Sequence, residues 1–268
     1  MEEGDVTEEA AEVVAGSRAA VKSAQRAIQL IETLAGQGER LTATELQAVT
    51  GLPRSSLHGL LHTLLEAGWL EVEPGSAAYG LGVRALVCGT SYLDRDPAAP
   101  YAREAVESVR DEVGFTTHFA RRIGADVVYL MTRESRSAIH RSRIGRTLPA
   151  HATALGKALL AELTRGEFDA LLPDPLPALT PNTLTDPELL WADCVASRDR
   201  GYGAEIEEGS PGVRCVAAAV PYRIPATDAL SCSIPIDHVT PDEVGRVTEV
   251  LVASAADLGA RLRHAGIR

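Results

Sequence analysis

Apolar residues recur at helical spacing from Val21 through Ala24, Ala27, Ile28, Ile31, Leu34 and Ala35, and Gly36 and Gly38 close the run, so a helix is expected over 20–37. The same period returns in Leu57, Leu60, Leu61, Leu64 and Leu65, at i, i+3, i+4, i+7 and i+8, a single stripe that must face a core. Between the two runs, Thr42 and Glu45 stand at capping-box spacing, in which hydroxyl and carboxylate each satisfy a free backbone N–H. A helix should therefore begin near Ala43. Gly51 can close it in the left-handed conformation, and Pro53 presets φ for the first turn of the next helix. Leu70 and Val72 then alternate with Glu71 and Glu73, Pro74-Gly75 marks a turn, and Tyr79 and Leu81 return. Helix, turn, helix and two-stranded ribbon over 41–82 is the layout of a winged helix-turn-helix.

Opposite the leucines, the second of these helices presents Ser55, Gly59 and His62, flanked by Ser56, His58 and Thr63, with Arg54 at its start and no acid before Glu66. A short polar face without negative charge suits a helix lying in a DNA major groove with its first turns against base edges. Arg54, Ser55, Ser56, His58, Gly59 and His62 are thus the candidate DNA-contacting residues. His58 and His62 read as neutral donors to phosphate or base edges, with pH sensing as the other reading.

Further along, Leu86, Val87 and Tyr92 continue as a helix over 84–93, and Pro97 and Pro100 break it, which places a linker at 84–100. A helix over 101–113 stops at Gly114. Strand alternation follows at 116–121 and 126–132, again at 213–222 and 229–236, and a last helix runs over 241–264. Helices flanking strands in this way argue an α+β fold with an antiparallel or mixed sheet. Thr153 can cap a helix over 154–163, whose free first-turn N–H groups form a potential anion site. Thr185 and Glu188 repeat the capping-box spacing and start a helix through 189–199.

Charge first argues against nucleic acid, since the formal balance is −11 over 268 residues. Six of those negative charges, however, lie in a base-free stretch over 1–17, which reads as a disordered acidic tail. From Arg18 to Arg84 six bases balance six acids, so DNA affinity there must rest on a few placed contacts. Cys88, Cys194, Cys215 and Cys232 form no CxxC pair and do not group with histidines at zinc-finger spacing, so neither metal nor cofactor is expected. No secretory signal and no apolar run near 18 residues is present, and the chain reads as a cytoplasmic protein with reduced thiols and no membrane partner.

The segments VKSAQRAIQLIETLA, LTATELQAVTGLPRSSLHGLLHTLLEAGWLE, GRTLPAHATALGKALLAEL, RDRGYGAEIEEGSPGVRCVAAAV and ALSCSIP resemble, in order and spacing, the IclR family of bacterial transcription regulators. The resemblance covers Val21 to the C-terminus. It implies a winged helix-turn-helix over 18–83, a linker helix over 84–100, and a GAF/profilin-like α/β effector-binding domain over 101–268. It also implies a homodimer, or a dimer of dimers, on a palindromic double-stranded DNA operator. Carried over residue by residue, the family's small-molecule pocket falls on Ala154, Leu155, Glu205, Cys215, Ser231 and Ser233, with glyoxylate, allantoin, allantoate or another small carboxylate as effector classes. Glu205 stands where relatives often carry Asp, and a carboxylate there repels an anionic effector unless it is protonated or turned away. Relatives often carry a long residue at Gly59, and the ribbon tip Gly75, Ser76, Ala77 and Ala78 lacks the usual bases. On this reading the protein is a regulator, a repressor of a catabolic operon, and no enzyme.

Two rival classes exist. An enzyme would use Cys215 or Ser231 as nucleophile with His151 or His118 as base, but no G-x-S-x-G, Walker loop or Rossmann fingerprint accompanies them, and Gly201-Tyr202-Gly203 lacks a third glycine. A ligand-binding module without a DNA role would leave the acid-free helix face without a purpose.

Overall fold

A computed structural model describes residues 20–135, 144–237 and 239–268, so the expected acidic tail lies outside the described residues. The chain divides into two compact units, one ending at Tyr92 and the other beginning at Leu93.

In the first unit, helices α1 (Lys22–Gly36), α2 (Ala43–Thr50) and α3 (Arg54–Glu66) enclose a leucine core. Leu30, Leu34, Leu46, Leu57, Leu61, Leu64 and Leu70 are buried together there, each worth about 2 kcal/mol of apolar burial. The capping box forms: Thr42 Oγ1 accepts from Glu45 N, and Glu45 Oε2 accepts from Thr42 N at 2.7 Å. Gly51 ends α2 with φ +66°. Pro53 is the N-cap of α3, one position earlier than the first turn expected for it. The ribbon consists of β2 (Leu70–Val72) and β3 (Ala78–Leu81), antiparallel with Leu70 opposite Leu81. A third, unexpected strand, β1 (Leu41–Thr42), pairs with the other edge of β3. Val72 is exposed, so only Leu70 of the first ribbon strand enters the core.

The linker helix α4 (Val83–Arg95) buries no residue. The break after it is shorter than the two prolines suggested, because Pro100 sits in the first turn of α5 (Ala99–Val113), where a missing N–H costs nothing. Asp96 supports that turn, its Oδ1 accepting from Ala98 N at 2.9 Å.

The second unit is built on a six-stranded sheet. Its strands are β4 (Thr116–Ile123), β5 (Asp126–Arg133), β6 (Thr147–Pro149), β7 (Gly203–Ile206), β8 (Val213–Ala219) and β9 (Asp228–Pro235), in the order β6-β5-β4-β9-β8-β7. Every pair is antiparallel, which decides the antiparallel-or-mixed alternative. One face is covered by α5 and by α9 (Pro241–His264), over a core that includes Val106, Phe119, Leu230, Ile234 and Leu251. The other face carries α6 (Ala154–Leu160), α7 (Arg165–Leu171) and α8 (Pro187–Arg200), over Leu155, Leu159, Phe168, Leu190 and Ala217. The fold class is α+β, as the pattern argued.

Three sequence expectations need correction. Helix α6 ends at Leu160, not 163, and the chain turns before a separate helix, α7, that begins at its own capping box, Thr164 with Glu167. The N-cap of α8 is Asp186, whose Oδ1 accepts from Glu188 N and Leu189 N, and Thr185 plays no such part. Strands β6 and β7 were not anticipated.

Candidate functional site

Helix α3 separates its faces as its period requires. Leu57, Leu61 and Leu64 are buried, while Arg54, Ser55, His58, Gly59 and His62 are exposed. Ser56 departs from this set: it is half-buried, and its Oγ accepts from Arg26 Nη1 of α1 at 3.1 Å, so part of its role is to join two helices. A methyl group at Gly59 would meet nothing within 4 Å, leaving the backbone open at the middle of the outer face. His62 Nδ1 lies 3.3 Å from Glu66 on an exposed i,i+4 pair, a contact of little energetic weight.

The second cluster lies on the α6 side of the large sheet. Cα register places Glu205 beside Cys215, Cys215 beside Ser233 and Ser233 beside Thr116, and in the next row Ala217 beside Ser231 and Ser231 beside His118. Residues directly opposite share a face, so the three strands β7, β8 and β9 bring Glu205, Cys215, Ser231 and Ser233 together. Cys215 Sγ is 3.5 Å from Ser233 Oγ. Ala154 and Leu155 open α6, which packs on β7, β8 and β9. Thr153 Oγ1 accepts from Gly156 N at 2.9 Å, so part of the expected N-terminal anion site is already occupied by the chain itself.

His118, a candidate base on the enzyme reading, sits in the middle of this face, fully buried. Its Nε2 is 3.2 Å from Ser233 Oγ and its Nδ1 is 3.0 Å from Thr132 Oγ1. A register shift after Phe119 turns Tyr129 toward it, and the two rings meet edge to face at 4.9 Å. His151, the other candidate base, instead bonds Pro177 O at 2.9 Å through Nε2.

Glu205 is buried, and one of its carboxylate oxygens is engaged by the backbone that follows it. Its Oε2 accepts from Glu208 N at 2.7 Å and Gly209 N at 3.5 Å. Burial raises its pKa against the lowering effect of hydrogen bonds from Cys215, Glu208 and Gly209. The segment after Glu205 is held in turn by Lys157, whose Nζ is 2.5 Å from Glu208 and 2.8 Å from Asp193. Gly203 permits the close approach of α6: a methyl group there would lie 2.5 Å from Ala154 O and 2.7 Å from Ala158 N. Burial pushes the Cys194 and Cys232 thiols up to about 12, which makes them core groups rather than nucleophiles.

Comparison with known proteins finds a family match over each part of the chain. The profile described as bacterial transcriptional regulator IclR C-terminal matches residues 90–260, and the IclR helix-turn-helix domain matches residues 23–74. The chain belongs to the IclR family of bacterial transcriptional regulators. It is 33% identical over 247 residues to the HTH-type transcriptional regulator XynR of Escherichia coli, covering 91% of this chain and 98% of that one. It is 30% identical over 255 residues to the transcriptional repressor IclR of Escherichia coli, covering 92% of each. Its fold is shared with a solved IclR homolog from Microbacterium hydrocarbonoxydans complexed with 4-hydroxybenzoate, at TM-score 0.75 and 24% identity over 90% of this chain and 99% of that one.

For an IclR-family regulator, the N-terminal unit supplies the helix-turn-helix and the C-terminal α/β unit carries the polar face under α6. The relatives are transcriptional regulators, and nothing among them supports the nucleophile reading of Cys215 or Ser231. Among the described residues no helix is long and apolar enough to cross a membrane.

Proposed function

We propose that this regulator is a repressor that reads operator DNA through Arg54, Ser55, His58, Gly59 and His62 of α3, with Ser56 anchoring that helix to α1. The observation that carries the reading is the division of α3: leucines inward, and an exposed outer face with no acid in its first turn. Helix N-terminal turns placed in a major groove need that absence of negative charge. The wing tip adds backbone N–H groups but no cation, so binding rests on few ionic contacts and its salt slope is modest. Repression is supported by the relatives named as repressors.

The effector is a small molecule with a carboxylate or carbonyl group, seated against Ser231, Ser233 and Cys215 beneath the start of α6 at Ala154 and Leu155. The complex of a structural neighbour with 4-hydroxybenzoate supports a small organic acid as the class. Glu205 is compatible with an anion because its carboxylate is spent on backbone N–H groups, and burial raises its pKa. The regulator works as a homodimer, or as a dimer of dimers, on a palindromic site. Val21 and Ile28 beside α1 and on it, and Val83, Leu86 and Val87 on α4, are exposed apolar positions that a second copy can cover. Effector binding shifts the helices around 84–113, and with them the spacing of the two α3 helices, which must match whole turns of DNA.

Fluorescence anisotropy on DNA from upstream of the protein's own gene tests the DNA reading. Salt-sensitive, sequence-specific binding supports it, and equal affinity for that DNA and unrelated DNA contradicts it.

A further inference from the structure

One hydrogen-bonded chain crosses five strands beneath α6. Glu205 on β7 is the Cα partner of Cys215 on β8, and its carboxylate is placed to accept the Cys215 thiol proton. Cys215 Sγ lies 3.5 Å from Ser233 Oγ on β9, and Ser233 Oγ lies 3.2 Å from His118 Nε2 on β4. His118 Nδ1 lies 3.0 Å from Thr132 Oγ1 on β5. Each of the inner groups has few protons, so one direction of donation propagates along the row. The single thiol proton of Cys215 goes to Glu205, which leaves its sulfur as an acceptor for the Ser233 hydroxyl. With the Ser233 proton directed to sulfur, Ser233 offers a lone pair to the imidazole, whose proton then sits on Nε2 while Nδ1 accepts from Thr132.

That direction matters because an O–H to sulfur bond is weak. The Ser233 proton rests on a poor acceptor and is easily redirected to a better one. With the opposite tautomer, the same proton would be committed to a good nitrogen acceptor, and Ser233 would show only lone pairs to a ligand.

We propose that His118, protonated on Nε2, is a positioning and specificity-determining residue of the effector site. It fixes Ser233 as a hydrogen-bond donor, so the site selects small molecules that present a carboxylate or carbonyl oxygen to Ser233 over those that present an N–H or O–H. This rests on the assignment of Ser231 and Ser233 to the effector site, and the register explains how His118 comes to act there. His118 is the Cα partner of Ser231 and bonds its second neighbour along the same face.

Nitrogen-15 NMR of the full-length protein labelled at histidine imidazoles, with His118 assigned by its loss in His118→Gln, reads the tautomer directly. A proton on Nε2 is the expected result, and a bare Nε2 with the proton on Nδ1 overturns the inference. Calorimetry with glyoxylate, allantoin and 4-hydroxybenzoate supplies a second readout. His118→Leu should weaken binding of an acid probe about tenfold, the effect of one lost hydrogen bond, while His118→Gln, whose amide can donate from the Nε2 position, should stay within about threefold. Binding weakened by Ser233→Ala but untouched by His118→Leu removes His118 and leaves the site standing. Binding untouched by Ser233→Ala and Ser231→Ala instead removes the effector-site assignment. The tautomer needs no ligand, so it decides alone if none of the three probes binds.

Discussion

Lys157 Nζ lies 2.5 Å from a Glu208 carboxylate oxygen and 2.8 Å from Asp193, with the lysine side chain only 1% exposed. The ammonium joins α6 to the segment that follows β7 and to α8, and through Glu208, whose N–H donates to Glu205, it supports the floor of the candidate effector site. Removing one partner of a buried ion pair strands the other. Lys157→Met should therefore cost about 3–5 kcal/mol in urea denaturation. Asp193→Asn should cost about 1 kcal/mol or less, because Asp193 is less buried and Lys157 keeps its pair with Glu208. A loss below 1 kcal/mol for Lys157→Met would show that the pair is not the anchor described.

Gly203 should not tolerate a side chain. Its added methyl group meets backbone atoms of α6 at 2.5 and 2.7 Å, and backbone cannot step aside as a flexible side chain can. Gly203→Ala should destabilise the protein by about 1–3 kcal/mol and weaken effector binding by displacing Ala154 and Leu155. Unchanged melting and unchanged binding would mean that α6 has room to move.

Arg54→Ala should weaken operator binding severalfold and reduce the slope of log K against log salt by about 1, the share of one phosphate contact. Gly59→Ala should stabilise α3 by up to about 1 kcal/mol, since the methyl group meets no neighbour. If the groove approaches the backbone at Gly59, the same variant binds operator more weakly although it folds better. Gains in both would place Gly59 away from the DNA. Anisotropy titrations at several salt concentrations measure the affinities and the slope, and urea denaturation measures the stability.

Glu205 gives a pH signature. Burial raises its pKa above the ordinary 4.5, so the folded protein holds that proton more tightly than the unfolded chain does. The stability this confers is fully present below the ordinary carboxylate range and is lost as pH rises through the raised value. Glu205→Gln should remove that loss, so the stability difference between variant and parent should grow in the variant's favour from acidic to neutral pH. By the same sign, an anionic effector should bind the parent more tightly as pH falls, and the variant should show a flatter profile. Parallel stability curves for the two proteins would place the proton elsewhere.

Much of the helix-turn-helix was legible because its signals are local. Thr42 with Glu45, Gly51 and the leucine stripe of α3 lie within a few residues of what they specify. The same signal was present and unread at Thr164 with Glu167, which starts α7. At Thr185 the spacing misled, because Asp186 at the next position competes for the cap and, with Pro187 after it, wins. Strand β7 was hidden by Gly203, which weakens strand propensity and is there for the approach of α6. His118 was the hardest to place. It bonds Ser233 across a separation of 115 residues, and that contact exists only through the pairing of β4 with β9. Ser231, Ser233, Cys215 and Glu205 came from family likeness, and the register explains why they share a face.

The central claim is that occupancy of the polar face under α6 controls how α3 meets DNA. Its most direct measurement is the operator dissociation constant of the full-length protein, without and with a saturating small acid chosen by thermal shift, for the parent and for Ser233→Ala. A weakening of about tenfold or more in the parent, absent in Ser233→Ala, is the predicted result. An operator affinity that the bound acid leaves unchanged in the parent would contradict the account.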